Sequence, residues 1–120
     1  LYAAVRLINY VSRQPQSLNE ILDSLPQPRN TPELRFPCSE TRKFEVVEEV
    51  LERMQAKGAE LVKIDGLRVK THDGWWLLRA SNTEDALVAR CEGNDKKGLS
   101  RLCEALAAEL HTSGIEIPNF

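Results

Sequence analysis

Six consecutive residues, Arg79-Ala80-Ser81-Asn82-Thr83-Glu84, hold the side chains best suited to chemistry on a ligand. From Arg79 to Thr83 they place a guanidinium, two hydroxyls and a side-chain amide within five positions. An arginine offers a planar fork of donors that matches two phosphate oxygens, and serine, threonine and asparagine add short donors. A turn also lets backbone N–H groups point into one concavity. The segment therefore predicts a site for a tetrahedral oxyanion such as a phosphate monoester.

The same residues also fit a plain polar turn, and their composition leaves both interpretations open. Serine, asparagine and threonine are common in turns because their side chains hydrogen-bond to the nearby backbone, without any ligand. The apolar runs on either side, residues 75–78 and 86–90, are short, which is typical of strands. The sequence therefore places the segment in a loop between two strands.

Length, charge and hydropathy narrow the class of protein. A length of 120 residues fits a single domain. A formal net charge of -2 argues against a general binding surface for nucleic acid or anionic membranes. No apolar run approaches the roughly 20 residues of a membrane span, and residues 1–4 lack the basic start of a secretion signal. The chain begins with Leu1 rather than methionine, so we expect a fragment or a processed product of a cytoplasmic protein.

Three cysteines, Cys38, Cys91 and Cys103, are scattered and lack CxxC spacing. We interpret them as reduced thiols, with Cys91 and Cys103 partly buried. A catalytic cysteine is the alternative, but neither His72, in a turn, nor His111, near a helix end, lies in a partner motif. A row of acidic side chains fits a solvated helix surface rather than a metal site: Glu45, Glu48, Glu49 and Glu52.

The first 26 residues predict two helices. Residues 1–11 carry apolar side chains at helical spacing, and Ser17 with Glu20 three residues later forms a capping-box signature. Residues 27–32 are proline-rich and polar, which is typical of a linker. Because so short a helical pair cannot enclose its own core, we expect it to be the tail of another domain.

After the linker the predicted order is β-α-β-β-β-β-α. Ser39 can cap a helix that ends near Gly58, and residues 65–66 and 73–74 are Asp-Gly hairpin turns. Strands joined by short turns are antiparallel, and two amphipathic helices need one apolar sheet face to cover. The predicted fold class is therefore α+β, with an antiparallel sheet of four to five strands and two helices on one face. The apolar stripe predicted for the first of these helices is Phe44, Val47, Val50, Leu51 and Met54.

The motifs around the loop resemble those of the α-D-phosphohexomutases, and among them most the bacterial phosphomannomutases/phosphoglucomutases. The resemblance rests on residues 78–84, preceded by Gly74-Trp75 and followed by Leu87 and residues 90–92. Upstream, Asp65-Gly66-Leu67-Arg68-Val69 is similar to the family's Asp-Gly-Val-Arg/Lys-Val/Ile hairpin. With Pro26, similar to the exit from the family's third domain, the resemblance extends over nearly the whole chain.

The resemblance implies a place within a four-domain enzyme. Residues 1–32 correspond to the helical tail of domain 3 and a hinge, and residues 33–120 to a domain 4 with a TATA-binding-protein-like fold. In the family, a loop of domain 4 holds the substrate phosphate that does not react. Carried over by position, the implied phosphate-binding residues are Arg79, Ser81, Asn82 and Thr83.

Three charged residues, Glu84, Asp85 and Arg90, follow the implied phosphate-binding residues. Arg90, on the following strand, either supports the site electrostatically or faces solvent. Relatives usually carry a proline where this chain has Asp85, and losing the fixed φ of proline loosens a loop. Because Glu84 and Asp85 are anionic, we expect both to point away from a bound phosphate.

The resemblance also implies a reaction and its partners. Relatives move a phosphoryl group between the 1- and 6-positions of a hexose, using a phosphoserine in domain 1, Mg2+ in domain 2 and sugar contacts from domain 3. This chain lacks those motifs, so it has no assigned catalytic or metal residue, and we expect it to bind without catalysing alone. The expected partners are mannose or glucose 1- and 6-phosphates, glucose 1,6-bisphosphate and the other domains of the same enzyme, with no nucleic acid and no membrane. A nucleic-acid-binding sheet and a protein-interaction domain are the alternatives.

Overall fold

The computed structural model describes residues 1–117, and these contain four helices and six strands. No helix in this part of the chain is long and apolar enough to cross a bilayer. The helices are α1 (Tyr2–Val11), α2 (Leu18–Ser24), α3 (Glu40–Ala56) and α4 (Lys96–Thr112). The strands are β1 (Arg29–Asn30), β2 (Leu34–Pro37), β3 (Glu60–Val62), β4 (Leu67–Thr71), β5 (Gly74–Ala80) and β6 (Ala86–Gly93).

The strands form one antiparallel sheet, which confirms the α+β class. Its order is β1-β6-β5-β4-β3, and β2 also pairs with β6, beside β1. Pro32 has no N–H and separates β1 from β2, while Thr31 N between them donates to Cys91 O at 2.9 Å. The sheet has six strands rather than the predicted four to five, because Arg29–Asn30, predicted as linker, pairs with β6.

Helices α3 and α4 cover one face of the sheet and enclose the core. Trp76 and Leu78 on β5 point toward the helices and are 1% and 0% exposed. Trp75 lies on the other face and is only half-buried, as the period of two along a strand predicts. The core also contains Phe36, Val46, Leu67, Leu87, Ala89, Cys91, Leu102, Leu106 and Leu110.

The buried stripe of α3 is rotated slightly from the predicted one. Val47 and Val50 are buried as predicted, but Phe44 is 50% exposed and Lys43 is fully buried. Ser39 occupies the predicted N-cap position, yet its hydroxyl makes no capping hydrogen bond. The rotation follows from the polar partners that the Lys43 ammonium finds beneath the loop after β5.

Helices α1 and α2 form as predicted but lie apart from the core. Ser17 Oγ accepts from Glu20 N, and the Glu20 carboxylate accepts from Ser17 N, so the capping box is confirmed. No residue of either helix is buried, and neither packs extensively against the sheet, α3 or α4. Apolar side chains are therefore exposed on both: Tyr2, Val5, Leu7, Ile8, Tyr10, Leu18 and Leu22.

A buried carboxylate ties α4 to α3. Glu109 on α4 accepts from Arg53 Nε at 2.7 Å and from Lys57 Nζ at 2.5 Å. Only 8% of its side chain is exposed. Burial acts to raise the pKa of Glu109, but the hydrogen bonds from Arg53 and Lys57 outweigh it, so the pKa is lowered.

We expect Glu109→Gln to lower the free energy of unfolding by about 1.5–3 kcal/mol near neutral pH, the range for a hydrogen bond to a charged group. Because the folded-state pKa of Glu109 lies below its unfolded value, its stabilisation is present above the unfolded pKa and is lost as pH falls through the folded pKa. Urea unfolding followed by tryptophan fluorescence should therefore give a smaller difference between wild type and variant in acid.

The matched control is Glu52→Gln, at an exposed position of α3. It should change the free energy of unfolding by less than about 0.5 kcal/mol. Equal losses in the two variants would contradict a special role for the buried carboxylate.

Candidate functional site

The pairing of β5 with β6 places residues 81–85 at one end of the sheet. The register runs from Gly74↔Gly93 to Ala80↔Leu87, and Ser81 N then donates to Ala86 O at 2.9 Å. The residues between these points have no regular secondary structure. They form a short loop, called the 81–85 loop from here on, whose base is closed by this hydrogen bond.

Ser81 organises the loop from inside. It is 5% exposed, and its Oγ accepts from the backbone N–H of Glu84 at 3.2 Å and from that of Thr83 at 3.4 Å. Such side-chain-to-backbone bonds are typical of serine in turns. The hydroxyl keeps its own proton, so Ser81 still has one hydrogen bond to donate to a ligand.

Arg79 and Arg90 lie on the sheet face away from the helices. Leu78 and Ala89 belong to the core, so alternation along β5 and β6 puts the two arginines on the open face. Arg79 is opposite Val88, two residues before Arg90, which makes the arginines diagonal neighbours whose Cα atoms are roughly 7–8 Å apart. Within residues 1–117, neither guanidinium forms an ion pair or hydrogen bond with a carboxylate. Both charges are therefore available to an anion.

Asn82 and Thr83 are exposed at the tip of the loop. Asn82 borders a cleft of about 320 Å³ between α3, the β3–β4 turn and the end of β5. Ala80 also lines this cleft, whereas strand alternation sends Arg79 to the opposite face. The structure thus brings Ser81, Asn82 and Thr83 together in one loop, with Arg79 at the loop's start on the open face.

The return half of the loop is held from two sides. The Glu84 carboxylate pairs with Arg35 of β2, and the Glu84 carbonyl oxygen accepts from Lys43 Nζ at 3.0 Å. Asp85 O accepts from Cys38 N at 3.0 Å. The hydrogen bond with Glu84 raises the pKa of Arg35. The negative charge of Glu84 is therefore met by a guanidinium of the protein itself.

The cysteine, histidine and acidic side chains of the described part of the chain form no metal-binding cluster. Cys38, Cys91 and Cys103 are free, and burial raises the pKa of each thiol. Protonated thiols are poor nucleophiles and poor metal ligands. Residues 1–117 contain no group of three or more His, Cys, Asp or Glu side chains that could hold a metal ion, so none of them fits the Mg2+ that the resemblance implies for another domain.

Sequence reasoning missed the residues that hold the loop from outside. A signal existed for Lys43, which lies three and four residues before the buried Val46 and Val47 and so continues the apolar stripe. No local pattern indicates Arg35, because it contacts a carboxylate 49 residues away. Such pairings become visible only once β2 lies beside β6.

Known proteins are similar in sequence to this chain over most of its length. The family model described as phosphoglucomutase/phosphomannomutase, C-terminal domain, matches residues 33–109. A phosphomannomutase/phosphoglucomutase of Pseudomonas syringae pv. tomato is 34% identical over 110 residues, covering 92% of this chain and 24% of the relative. A phosphoglucomutase of Neisseria gonorrhoeae is 37% identical over 115 residues, covering 94% of this chain and 25% of the relative.

A solved structure shares the fold. The crystal structure of a phosphoglucomutase/phosphomannomutase family protein from Burkholderia thailandensis matches with a TM-score of 0.80 and 30% identity, over 98% of this chain and 25% of that one. The chain therefore belongs to the phosphoglucomutase/phosphomannomutase family, and its residues 33–109 match the C-terminal domain of that family. It spans about a quarter of the length of the relatives it matches.

We expect Gly66→Ala to destabilise the end of the sheet that carries Arg79. Gly66 has a φ of +116°, and an added Cβ would lie 2.5 Å from Leu78 O and 2.7 Å from Arg79 Cβ. Backbone strain and overpacking together predict a loss of about 2–4 kcal/mol in the free energy of unfolding, measured by urea denaturation.

Gly58→Ala is the matched control. Gly58 also has a positive φ, +68°, but its added Cβ would meet nothing within 4 Å. The left-handed conformation alone predicts a loss of about 1–2 kcal/mol. Equal losses at the two glycines would show that the close approach to Arg79 is unimportant.

Proposed function

We propose that residues 33–120 form the substrate-phosphate-binding domain of a phosphohexomutase that interconverts hexose 1-phosphates and hexose 6-phosphates. In this proposal Arg79, Arg90 and the 81–85 loop hold the phosphate that does not react. The isolated chain binds but does not catalyse, because the phosphoserine that donates the phosphoryl group, and the Mg2+ that assists it, belong to other domains.

The observation that carries the proposal is the pair of available guanidiniums on the open sheet face. Their neighbours on that face are engaged: Arg35 pairs with Glu84, and the Arg68 guanidinium stacks on the Trp75 ring at 4.2 Å from its centroid. Arg79 and Arg90 remain without a carboxylate among the described residues, although acidic residues outnumber basic ones in the chain. Two like charges at this separation repel each other, and a bound dianion relieves that repulsion.

Each loop residue has a role in the proposed site. Arg79 supplies parallel N–H donors for two phosphate oxygens, and Arg90 adds electrostatic attraction. Ser81 donates a hydrogen bond through its hydroxyl group. Asn82 and Thr83 donate hydrogen bonds through an exposed side-chain amide and an exposed hydroxyl. Donors of this kind read the phosphate rather than the sugar.

A site that recognises only the phosphate suits a reaction whose bisphosphorylated intermediate must reverse its orientation in the active site. A hexose 1,6-bisphosphate carries a phosphate at each end, and either end fits the same donors. Holding the distal phosphate keeps the reacting hydroxyl near the phosphoserine, which lowers the entropic cost of the transfer. The proposed substrates are therefore mannose or glucose 1- and 6-phosphates, with glucose 1,6-bisphosphate as the intermediate, in a cytoplasmic enzyme.

The exposed helices α1 and α2 belong, in this proposal, to the neighbouring domain. Most of their large apolar side chains are more than half exposed within residues 1–117, and packing against the rest of domain 3 would bury them. Because Arg29–Asn30 already pairs with β6, the hinge reduces to residues 27–28, the first two residues of the predicted linker. Rotation there opens and closes the substrate cleft and excludes water from it.

A titration of the labelled 120-residue chain with glucose 1-phosphate or inorganic phosphate tests the binding site. Because Arg79 and the loop supply the donors, we expect backbone amide shifts centred on residues 79–84. The dissociation constant should be millimolar, since the other domains are absent. Arg79→Ala should abolish these shifts, because it removes the bidentate donor.

Lys70→Ala is the matched control, since Lys70 is an exposed cation of the neighbouring strand β4. It should leave the shifts intact. Amide shifts only with oligonucleotides would support a nucleic-acid-binding sheet instead, and no shift with either ligand would leave a protein-interaction domain.

The proposed interdomain packing predicts a context-dependent effect of Ile8→Glu. In the 120-residue chain Ile8 is 69% exposed, so the substitution should change the free energy of unfolding of the sheet domain by less than about 0.5 kcal/mol. In the full-length enzyme, burying an unpaired carboxylate should destabilise domain 3 by about 3 kcal/mol or more. Thermal unfolding of both forms measures this, with Asn9→Glu as the control; an Ile8 effect no larger than that of Asn9 would contradict the packing.

A further inference from the structure

Lys43 holds a buried ammonium against the inner side of the 81–85 loop. The residue is 0% exposed, and its Nζ donates to Glu84 O at 3.0 Å and to the Glu40 carboxylate at 2.5 Å. Nζ also lies 5.2 Å from the centroid of the Phe44 ring. Fully buried lysines are rare, because an ammonium loses its hydration when it is buried. The contacts with Glu84 O, the Glu40 carboxylate and the Phe44 ring therefore replace the water that the ammonium loses.

The contact with Glu84 O falls where the chain turns back toward β6. The same carbonyl oxygen accepts from Ala86 N at 2.8 Å, so two donors fix its direction. The N–H of Glu84 in turn bonds to Ser81 Oγ. A side chain of α3 thus fixes the peptide units that shape the tip of the loop.

The ion pair of Lys43 joins a buried ammonium to an exposed carboxylate. Its side chain is 1% exposed, whereas the Glu40 side chain is 65% exposed and therefore strongly solvated. The hydrogen bond from Lys43 lowers the pKa of Glu40, as expected for a carboxylate beside a cation. A positive charge beneath the loop adds to the attraction that the open-face guanidiniums exert on an anion.

We propose that Lys43 is a positioning residue for phosphate binding by the 81–85 loop, a role that rests on the function proposed for that loop. It acts through Glu84: the ammonium fixes the carbonyl, and the fixed carbonyl holds the Thr83 and Glu84 amides in place on Ser81. Filling space in the core would need neither a donor nor a charge, since a methionine has a similar shape.

The test compares Lys43→Met with Arg53→Met in the 120-residue chain. Both substitutions remove a cation from α3, but Arg53 contacts Glu109 and Ser113, far from the loop. We expect Lys43→Met to weaken inorganic phosphate binding roughly tenfold, the low end for a lost charged hydrogen bond, and to speed hydrogen exchange of the Thr83 and Glu84 amides. Arg53→Met should lower stability without either effect, and Lys43→Arg should restore part of the affinity.

The outcomes separate this proposal from the proposed function. Equal phosphate affinity in Lys43→Met and wild type overturns the positioning role. If the wild-type chain binds no phosphate, the proposed function fails. Hydrogen exchange of the Thr83 and Glu84 amides then tests Lys43 alone. Faster exchange in Lys43→Met than in wild type supports loop positioning, and equal exchange overturns it. If Lys43→Met does not fold, the wild-type Nζ resonance decides, because it should shift on phosphate addition and a static resonance overturns the role.

Discussion

The antiparallel pairing of β5 with β6 fixes the face on which Arg79 and Arg90 lie and the point at which the 81–85 loop begins. Leu78 and Ala89 face the helices and are fully buried, so their neighbours Arg79 and Arg90 must face away. A slip of one residue would turn Arg79 into the core and Leu78 into solvent, at a large cost in apolar burial. The hydrophobic core therefore sets the register, and the register places Arg79 and Arg90 on the same face as diagonal neighbours.

The 81–85 loop at the end of this ladder is held by its own Ser81 and by two side chains from other elements. Within the loop, Ser81 Oγ accepts a hydrogen bond from the Glu84 amide. From β2, Arg35 pairs with the Glu84 carboxylate, and from α3, Lys43 donates to the Glu84 carbonyl oxygen. The carbonyl oxygen of Asp85 accepts a hydrogen bond from Cys38 N, which also fixes the return path of the loop. A loop fixed in this way pays little conformational entropy when an anion binds.

Much of this architecture could be predicted because its signals are local. The capping box of α2, the Asp-Gly turns and the alternation along β5 each depend on a few neighbouring residues. The strand at Arg29–Asn30 could not be predicted, since its two residues are held only by distant β6. Likewise, the choice between Phe44 and Lys43 as the buried residue depends on a carbonyl that lies 41 positions away from Lys43.

The sequence indicates which residue types the candidate site offers but not how they are arranged. The sequence places Arg79 and Asn82 in one segment, yet the structure sends the guanidinium to the open face and the amide to the border of a cleft beside α3. Strand alternation ends at Ala80, and after that point the path depends on the Ser81 hydrogen bonds. Residue order alone therefore cannot show which donors converge.

The most direct measurement follows the arginine side chains themselves during a phosphate titration of this chain, by two-dimensional NMR of their Nε–H groups. The Arg79 resonance should move and saturate, the Arg90 resonance should move less, and Arg101, which pairs with Asp73, should stay in place. A static Arg79 resonance, or equal shifts at all three arginines that follow only ionic strength, would contradict phosphate binding at this loop.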